Sequence, residues 1–237
     1  SFAIFATGRA FEQLRNSVAY PKLNVKVAAT HAGITVGEDG ASHQSVEDIA
    51  IMRALPNMTV IVPADGVETE QAVIKAAKYE GPVYIRLGRS GVPVIYDENY
   101  QFEIGKAHVV REGSQVTIVA AGIMVSAALE AAETLAQEGI EAEVINLSTI
   151  KPLDEATILQ SLQKTGCVVT AEEHSIIGGL GSAVAELAAE KYPVPLVRVG
   201  VKDVFGESGK PHELLEKYGL TPQDIVQAAK EVVARKK

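Results

Sequence analysis

Residues 59–87 read TVIVPADGVETEQAVIKAAKYEGPVYIRL, and this order of apolar run, helical run and second apolar run sets the fold class. Thr59 to Val62 has the length and apolar character of a short buried strand. Asp65 stands where it can cap a helix running to about Tyr79, and after the Gly81-Pro82 break Val83 to Leu87 makes the next strand. Such a succession is a βαβ unit, which places its two strands parallel in one sheet. The rhythm extends upstream. Val25 to Ala29 reads as a strand, and Ser45 with Asp48 three positions on reads as a capping-box-like start for a helix Val46 to Ala54. From Phe2 to Val18 the apolar Ile4, Phe11, Leu14 and Val18 recur near helical spacing, an amphipathic helix ended by Tyr20-Pro21.

Downstream, YDENYQFEIG at 96–105 breaks the pattern, which predicts a first domain over 1–96, a linker over 97–107 and a second α/β domain over 108–237. There, strands are expected at Val116 to Ala121, Glu143 to Leu147, Cys167 to Thr170 and Leu196 to Val201. Helices are expected at Val125 to Gln137, Asp154 to Lys164, Gly181 to Lys191, Pro211 to Tyr218 and Pro222 to Ala234. The predicted fold is α/β: two three-layer α/β/α modules with mainly parallel sheets. Because the chain starts at Ser1 already inside a helical pattern, the first module is expected to be truncated at its N-terminus.

Composition narrows the function. With 237 residues and 47% apolar content the chain can bury a sizeable core, and a net charge of -8 with scattered lysines and arginines argues against nucleic acid as a partner. No apolar run approaches the roughly 20 residues of a membrane span, and no secretory leader is present, so the expected location is the cytoplasm. The single cysteine, Cys167, lies in the apolar run CVVT and is expected to pack in the core, which rules out disulfide frameworks and multi-cysteine metal sites.

The densest chemistry lies in THAGITVGEDGASHQS, Thr30 to Ser45, with His31 and His43, Glu38 and Asp39, and Gly33, Gly37 and Gly40. His31 directly follows a strand, and the carboxyl ends of strands in open parallel sheets are where ligands bind. Two imidazoles on a glycine-hinged loop can grip a phosphate or an oxygen-rich sugar, with Asp39 accepting from hydroxyls; alternatively, Asp39 and Gly40 form a plain turn and the histidines satisfy backbone groups. Arg86 and Arg89, in YIRLGRSG, arrive at the end of another strand and suit phosphate equally well as a surface ion pair. Phe2 and Phe5 lie three apart on one helix face, a spacing that by itself favours core packing. Gly178, Gly179 and Gly181 lack the spacing of a dinucleotide-binding turn and are read as close-packing glycines. Glu172, Glu173 and His174, which have the makings of an acid/base or metal cluster, are read as structural.

HAGITVGEDGASHQ closely resembles the loop of transketolases, and SFAIFATGRAFEQLRNS, VIVPADGVET, IRLGRSGVP, AEEHSIIGGLGSAVAE and VFGESG extend the resemblance over almost the whole chain. The details look most like the C-terminal subunit of split, two-polypeptide transketolases. The resemblance implies a thiamine-diphosphate enzyme moving two-carbon ketol units between sugar phosphates. It implies that Phe2 and Phe5 pack on the cofactor's aminopyrimidine, reversing the core reading. His31 would hold the sugar and its phosphate, Arg89 would pair with that phosphate, Asp39 would read a hydroxyl, and His43 would assist proton transfer or stabilise a developing alkoxide.

The resemblance also implies a homodimer and a partner N-terminal subunit or domain that carries the cofactor's diphosphate and its Mg2+ or Ca2+; no metal site is expected on this chain. Two departures stand out. Gly8 occupies the place of a third aromatic, and the upstream segment with the glutamate that activates the aminopyrimidine has no counterpart, so the chain is expected to be catalytically incomplete alone. Within the superfamily the alternatives are a 1-deoxy-D-xylulose-5-phosphate synthase and a 2-oxoacid dehydrogenase β subunit, against which the second loop histidine followed by Gln44 argues. A non-catalytic dimerisation or regulatory module is the alternative of another class.

Overall fold

The computed structural model describes residues 1–236. Two sheets form the frame. In the first, β1 (Lys26–Ala29), β3 (Val83–Arg86) and β2 (Thr59–Ile61) run parallel, and β7 (Thr149–Lys151) adds an antiparallel edge to β2. In the second, β6 (Ala142–Asn146), β5 (Val116–Ala120), β8 (Val168–Ser175) and β9 (Leu196–Val201) run parallel, with antiparallel β4 (His108–Arg111) at the edge beside β6. Mainly parallel α/β architecture in two halves is therefore present, as the strand-helix rhythm implies.

The N-terminal helical stretch differs from the expected α-helix. Phe11–Gln13 (α1) is α-helical, but Ile4–Arg9 and Leu14–Ala19 on either side wind as wider π turns, with Ala10 donating to the Phe5 carbonyl and Tyr20 to that of Arg15. The expected capping box at Ser45 is also not formed. Helix α2 (Asp48–Ala54) starts later, without a side-chain cap, because Asp48 is taken up by buried hydrogen bonds from Tyr84 and Arg86. By contrast, Asp65 caps α3 (Gly66–Lys78) through the Glu68 N–H at 2.8 Å. The remaining helices follow the expected pattern: α4 (Met124–Gln137), α5 (Glu155–Thr165), α6 (Leu180–Lys191), α7 (Pro211–Lys217) and α8 (Pro222–Ala234), the last opening with a Thr221/Asp224 capping box.

Two strands were not foreseen, and both are short edges. The β4 strand follows the expected linker. The β7 strand leaves the second half to join the first sheet, where the Val62 N–H donates to Ser148 at 2.7 Å. Its placement is one reason the halves cannot separate cleanly. A single apolar cluster combines Val60, Met58 and Tyr84 of the first half with Val119, Ile145 and Leu180 of the second. The stretch expected as a linker packs back on α3: Asp65 accepts from the Ile95 and Tyr96 N–H groups at 2.7 and 2.9 Å, Gln71 bonds the Tyr100 carbonyl and the Phe102 N–H, and the Phe102 ring is buried. Cys167 is a free, buried cysteine, as its apolar surroundings implied.

Candidate active site

The site lies where β1 and β3 end. Immediately before the π turns, Ser1 to Ala3 run alongside the end of β1: Ala3 N–H donates to the Thr30 carbonyl at 2.7 Å and Thr30 N–H to that of Ser1 at 3.2 Å. This pairing, which no local sequence signal reports, brings Phe2 beside His31. The two rings stack face to face, 4.0 Å between centroids and 11° between planes. Phe5 is offset-stacked on Phe2 at 6.0 Å, and His43 meets both phenyl rings edge-on at 5.6 and 5.2 Å. Four rings separated by up to 41 positions in sequence thus form one cluster. Neither phenylalanine belongs to an apolar core cluster, and both are only half-buried. The core reading from spacing is therefore not what the structure shows.

The backbone at His31 is held in the left-handed region, φ 60°, which costs a non-glycine residue about 1–2 kcal/mol. The neighbouring main chain overrides that cost, since Ala32 N–H donates to Leu87 at 3.1 Å and Gly33 N–H to Ser45 at 2.8 Å. Each imidazole has one nitrogen engaged: His31 Nδ1 with Thr30 Oγ1 and His43 Nδ1 with Ser42 Oγ, both at 2.9 Å. Among the described residues Nε2 of neither ring makes a hydrogen bond, so a donor or acceptor remains on each.

Asp39 and Arg89 sit apart from the rings, on the outer limb of the loop. Arg89 Nη1 donates to the Val36 carbonyl and lies 3.3 Å from Glu38 and 3.8 Å from Asp39. The guanidinium is part-exposed, and such surface pairs are weak and exchangeable. Arg86, three residues earlier, is different: its Nε donates to Asp48 at 2.8 Å and its Nη2 to the Glu173 carbonyl at 2.8 Å, in full burial. Burial alone would raise the Asp48 carboxyl, but the Arg86 charge and the hydrogen bonds from Arg86 and Tyr84 outweigh it and hold Asp48 below the usual aspartate range. Arg86 remains charged, its pKa raised because Asp48 and Glu173 outweigh the burial that opposes the charge. It is structural.

The EEH triad is likewise committed. Glu172 accepts from the Leu180 and Gly181 N–H groups at 2.7 and 2.8 Å, filling the N-terminus of α6 with the chain's own carboxylate. A Cβ at Gly179 would collide with that carboxylate, which explains the glycine without any nucleotide. His174 Nδ1 donates to the Ser175 carbonyl at 2.7 Å while Nε2 accepts from Ala50 N–H at 3.3 Å, so both ring nitrogens are used. Burial lifts the carboxyls of Glu172 and Glu173 above the usual glutamate range, against the hydrogen bonds from the Gly181 and Leu180 N–H groups to Glu172 and the Arg86 charge beside Glu173. Among the described residues no group of three or more His, Cys, Asp or Glu side chains is arranged to hold a metal ion.

Sequence reasoning missed several supporting contacts. Arg9 lies 4.4 Å over the Phe5 ring, a cation–π contact that the sequence separation of four on a helix permits. At Gly8 a Cβ would meet only Ile4 Cδ1, at 3.4 Å, an ordinary contact.

A ring cluster and a glycine-hinged loop thus stand at the carboxyl ends of parallel strands, the place where ligands bind in open α/β sheets. Residues 1–94 match the family description "Transketolase, pyrimidine binding domain" and residues 105–225 match "Transketolase, C-terminal domain". The chain is 54% identical over 228 residues to a transketolase C-terminal section of Methanocaldococcus jannaschii, covering 95% of this chain and 71% of that protein. It is 52% identical over 236 residues to a 6-deoxy-6-sulfo-D-fructose transketolase subunit of a Clostridium species, covering 100% of this chain and 73% of that protein. A solved structure, "Split gene transketolase, inactive beta4 tetramer", superposes with a TM-score of 0.94 at 59% identity, over 100% of this chain and 76% of that one. The chain belongs to the transketolase family. No helix among the described residues is long and apolar enough to cross a membrane.

Proposed function

We propose that the chain supplies the substrate-facing, pyrimidine-binding half of a thiamine-diphosphate-dependent transketolase, transferring two-carbon ketol units between sugar phosphates with a partner that carries the diphosphate-binding domain. The observation that carries this reading is the ring cluster. Phe2 and Phe5 are half-buried, lie outside the core clusters and are stacked on each other, with Phe2 also stacked on His31, an arrangement that suits a flat heteroaromatic ring. When bound, thiamine diphosphate supplies the nucleophilic carbon and accepts the electron pair released when the sugar's carbon–carbon bond breaks.

The chain's own residues bind, orient and move protons. His31 and His43 each keep Nε2 for the substrate; His43 handles the proton of the carbonyl or hydroxyl oxygen at the reacting carbon, and His31 holds the sugar's hydroxyls and phosphate. Asp39 accepts from a sugar hydroxyl. Arg89, already beside Glu38 and Asp39, exchanges a weak surface pairing for the substrate's terminal anion. One relative's substrate name pairs a ketose with a sulfonate, and a planar guanidinium accommodates either tetrahedral anion at that end.

Titrating the partner polypeptide into this chain with thiamine diphosphate, magnesium and a ketose phosphate should generate ketol transfer that saturates at a fixed stoichiometry. Transfer by the chain alone overturns the partner requirement. Pyruvate in place of the ketose should give little decarboxylation, whereas efficient turnover would favour a deoxyxylulose-phosphate synthase or a 2-oxoacid dehydrogenase β subunit. Saturable sugar-phosphate binding, lost when His31 and Arg89 are replaced by alanine, separates the enzyme from a non-catalytic dimerisation module.

A further inference from the structure

The Gly37–Gly40 segment, the His43 turn and the strap at 203–210 in the second half of the chain meet at one side chain, Gln44. It is buried and immediately follows His43, in a turn closed by the His43 and Gln44 N–H groups donating to the Gly40 carbonyl, both at 3.0 Å. Its Nε2 faces three carbonyl oxygens: Ile34 at 3.1 Å, Gly37 at 3.2 Å and Glu207 at 2.9 Å. An oxygen in that place would oppose all three, so the amide orientation follows from its surroundings. The first two carbonyls belong to the segment that carries Asp39, the third to the strap.

The strap approaches so closely that glycine is required on both sides. A Cβ at Gly206 would collide with the Gln44 carboxamide, and one at Gly40 would stand 2.6 Å from Ser208 Oγ. Gly37, at φ 83°, would place a Cβ 3.3 Å from the Gly209 carbonyl and from Pro211 Cδ. The strap is itself anchored behind: Lys217 pairs with Glu207, and Tyr218 OH donates to the Phe205 carbonyl at 3.1 Å. Neither Gln44 nor any strap residue joins the ring cluster.

The geometry points to Gln44 as a positioning residue, through which the strap of the second α/β half fixes where His43 and Asp39 stand. This inference rests on the proposed roles of those two residues, and it gives the second half a part in catalysis without a ligand of its own. The tests are Gln44→Met, which keeps the length and removes the donors, Gly206→Ala, which pushes the carboxamide away, and the double variant Gln44→Ala with Gly206→Ala, in which the collision is relieved. Leu187→Ala, a buried position in α6 away from the loop, serves as a control for general destabilisation.

Two readouts are taken: histidine ring NMR of the chain, and kcat and KM of the complex with partner, cofactor and ketose phosphate. Gln44→Met and Gly206→Ala should each shift the His43 ring signals, leave those of His108 in place, and lower kcat/KM by about 100-fold, as a misplacement near 1 Å does. The double variant should be no worse than Gly206→Ala alone. The inference is overturned if Gln44→Met leaves both the His43 signals and kcat/KM at wild-type values, or if Leu187→Ala reproduces the same signal shifts. If the wild-type complex transfers no ketol unit, the proposed function fails instead, and the ring signals still decide whether Gln44 places His43.

Discussion

Arg86 closes β3 and Arg89 stands three residues further on, yet they belong to two different regions. One is the buried network of Tyr84, Arg86, Asp48 and Glu173, where hydrogen bonds and charge pairs commit every member to its neighbours. The other is the loop rim of His31, His43, Asp39 and Arg89, where each imidazole has one ring nitrogen engaged and the Arg89 guanidinium is paired with carboxylates at the surface. Both are assembled from a similar set of residues: basic, acidic and aromatic side chains at one sheet edge. What differs is burial and pairing. Asp48 keeps Oδ1 without a partner, yet its Oδ2 and the buried Arg86 guanidinium hold each other inside the protein, whereas a group with a free ring nitrogen in a half-exposed place can serve a substrate.

Substitutions that reverse this contrast would break it, and the largest effect should come from the rim. His43→Ala should lower kcat/KM for ketol transfer by about 10²–10⁴-fold, the range of a lost acid-base group. Its stability in urea should stay within about 0.5 kcal/mol of wild type; a large stability loss would place His43 in the structural network.

Asp48→Asn should do the opposite, costing about 3–5 kcal/mol because it removes the nearest counter-ion of the buried Arg86 charge and leaves only Glu173, at 3.8 Å. Its pH signature has a definite sign. The folded Asp48 carboxyl titrates below the ordinary value of 3.8, so its stabilisation is present above that value and is lost as pH falls through the folded pKa. The unfolding free energy of Asp48→Asn should therefore fall less steeply below pH 3.8 than that of the wild type. Glu172 and Glu173, raised above 4.5, act with the reverse sign: their contribution is full below 4.5 and declines as pH rises through the raised folded values.

Arg89→Ala should raise KM for the anionic sugar on the order of 10- to 100-fold, the worth of a charged hydrogen bond, with little change in melting temperature. A raised KM together with a large drop in melting temperature would move Arg89 into the company of Arg86. The smallest effect should be at the far end of the chain. Thr221→Ala removes the capping box of α8 and should cost about 1 kcal/mol, read as a lower urea midpoint with unchanged ketol transfer once folded.

Much of this was legible in the chain order. The βαβ rhythm from Thr59 to Leu87 gives parallel strands, and β9 and α8 run over the expected residues, because long periodic segments and a Pro at the first helical turn leave little choice. Ser45 and Asp48 misled for an identifiable reason: a capping box is a local bargain, and Asp48 had a stronger long-range partner in Arg86. The short edges β4 and β7 were hidden because three or four residues carry no period of their own.

The sequence by itself determined the fold class, the strand order's parallel character, the family resemblance and the loop proposed to carry the chemistry. Those properties follow from periodicity and from residues that are neighbours in the chain. Only the tertiary structure decided which of the two arginines is buried, that Phe2 lies flat against His31, and that Gln44 joins the two halves behind His43. Each of these depends on contacts across tens of residues, and local propensity has no term for a partner that arrives from another strand.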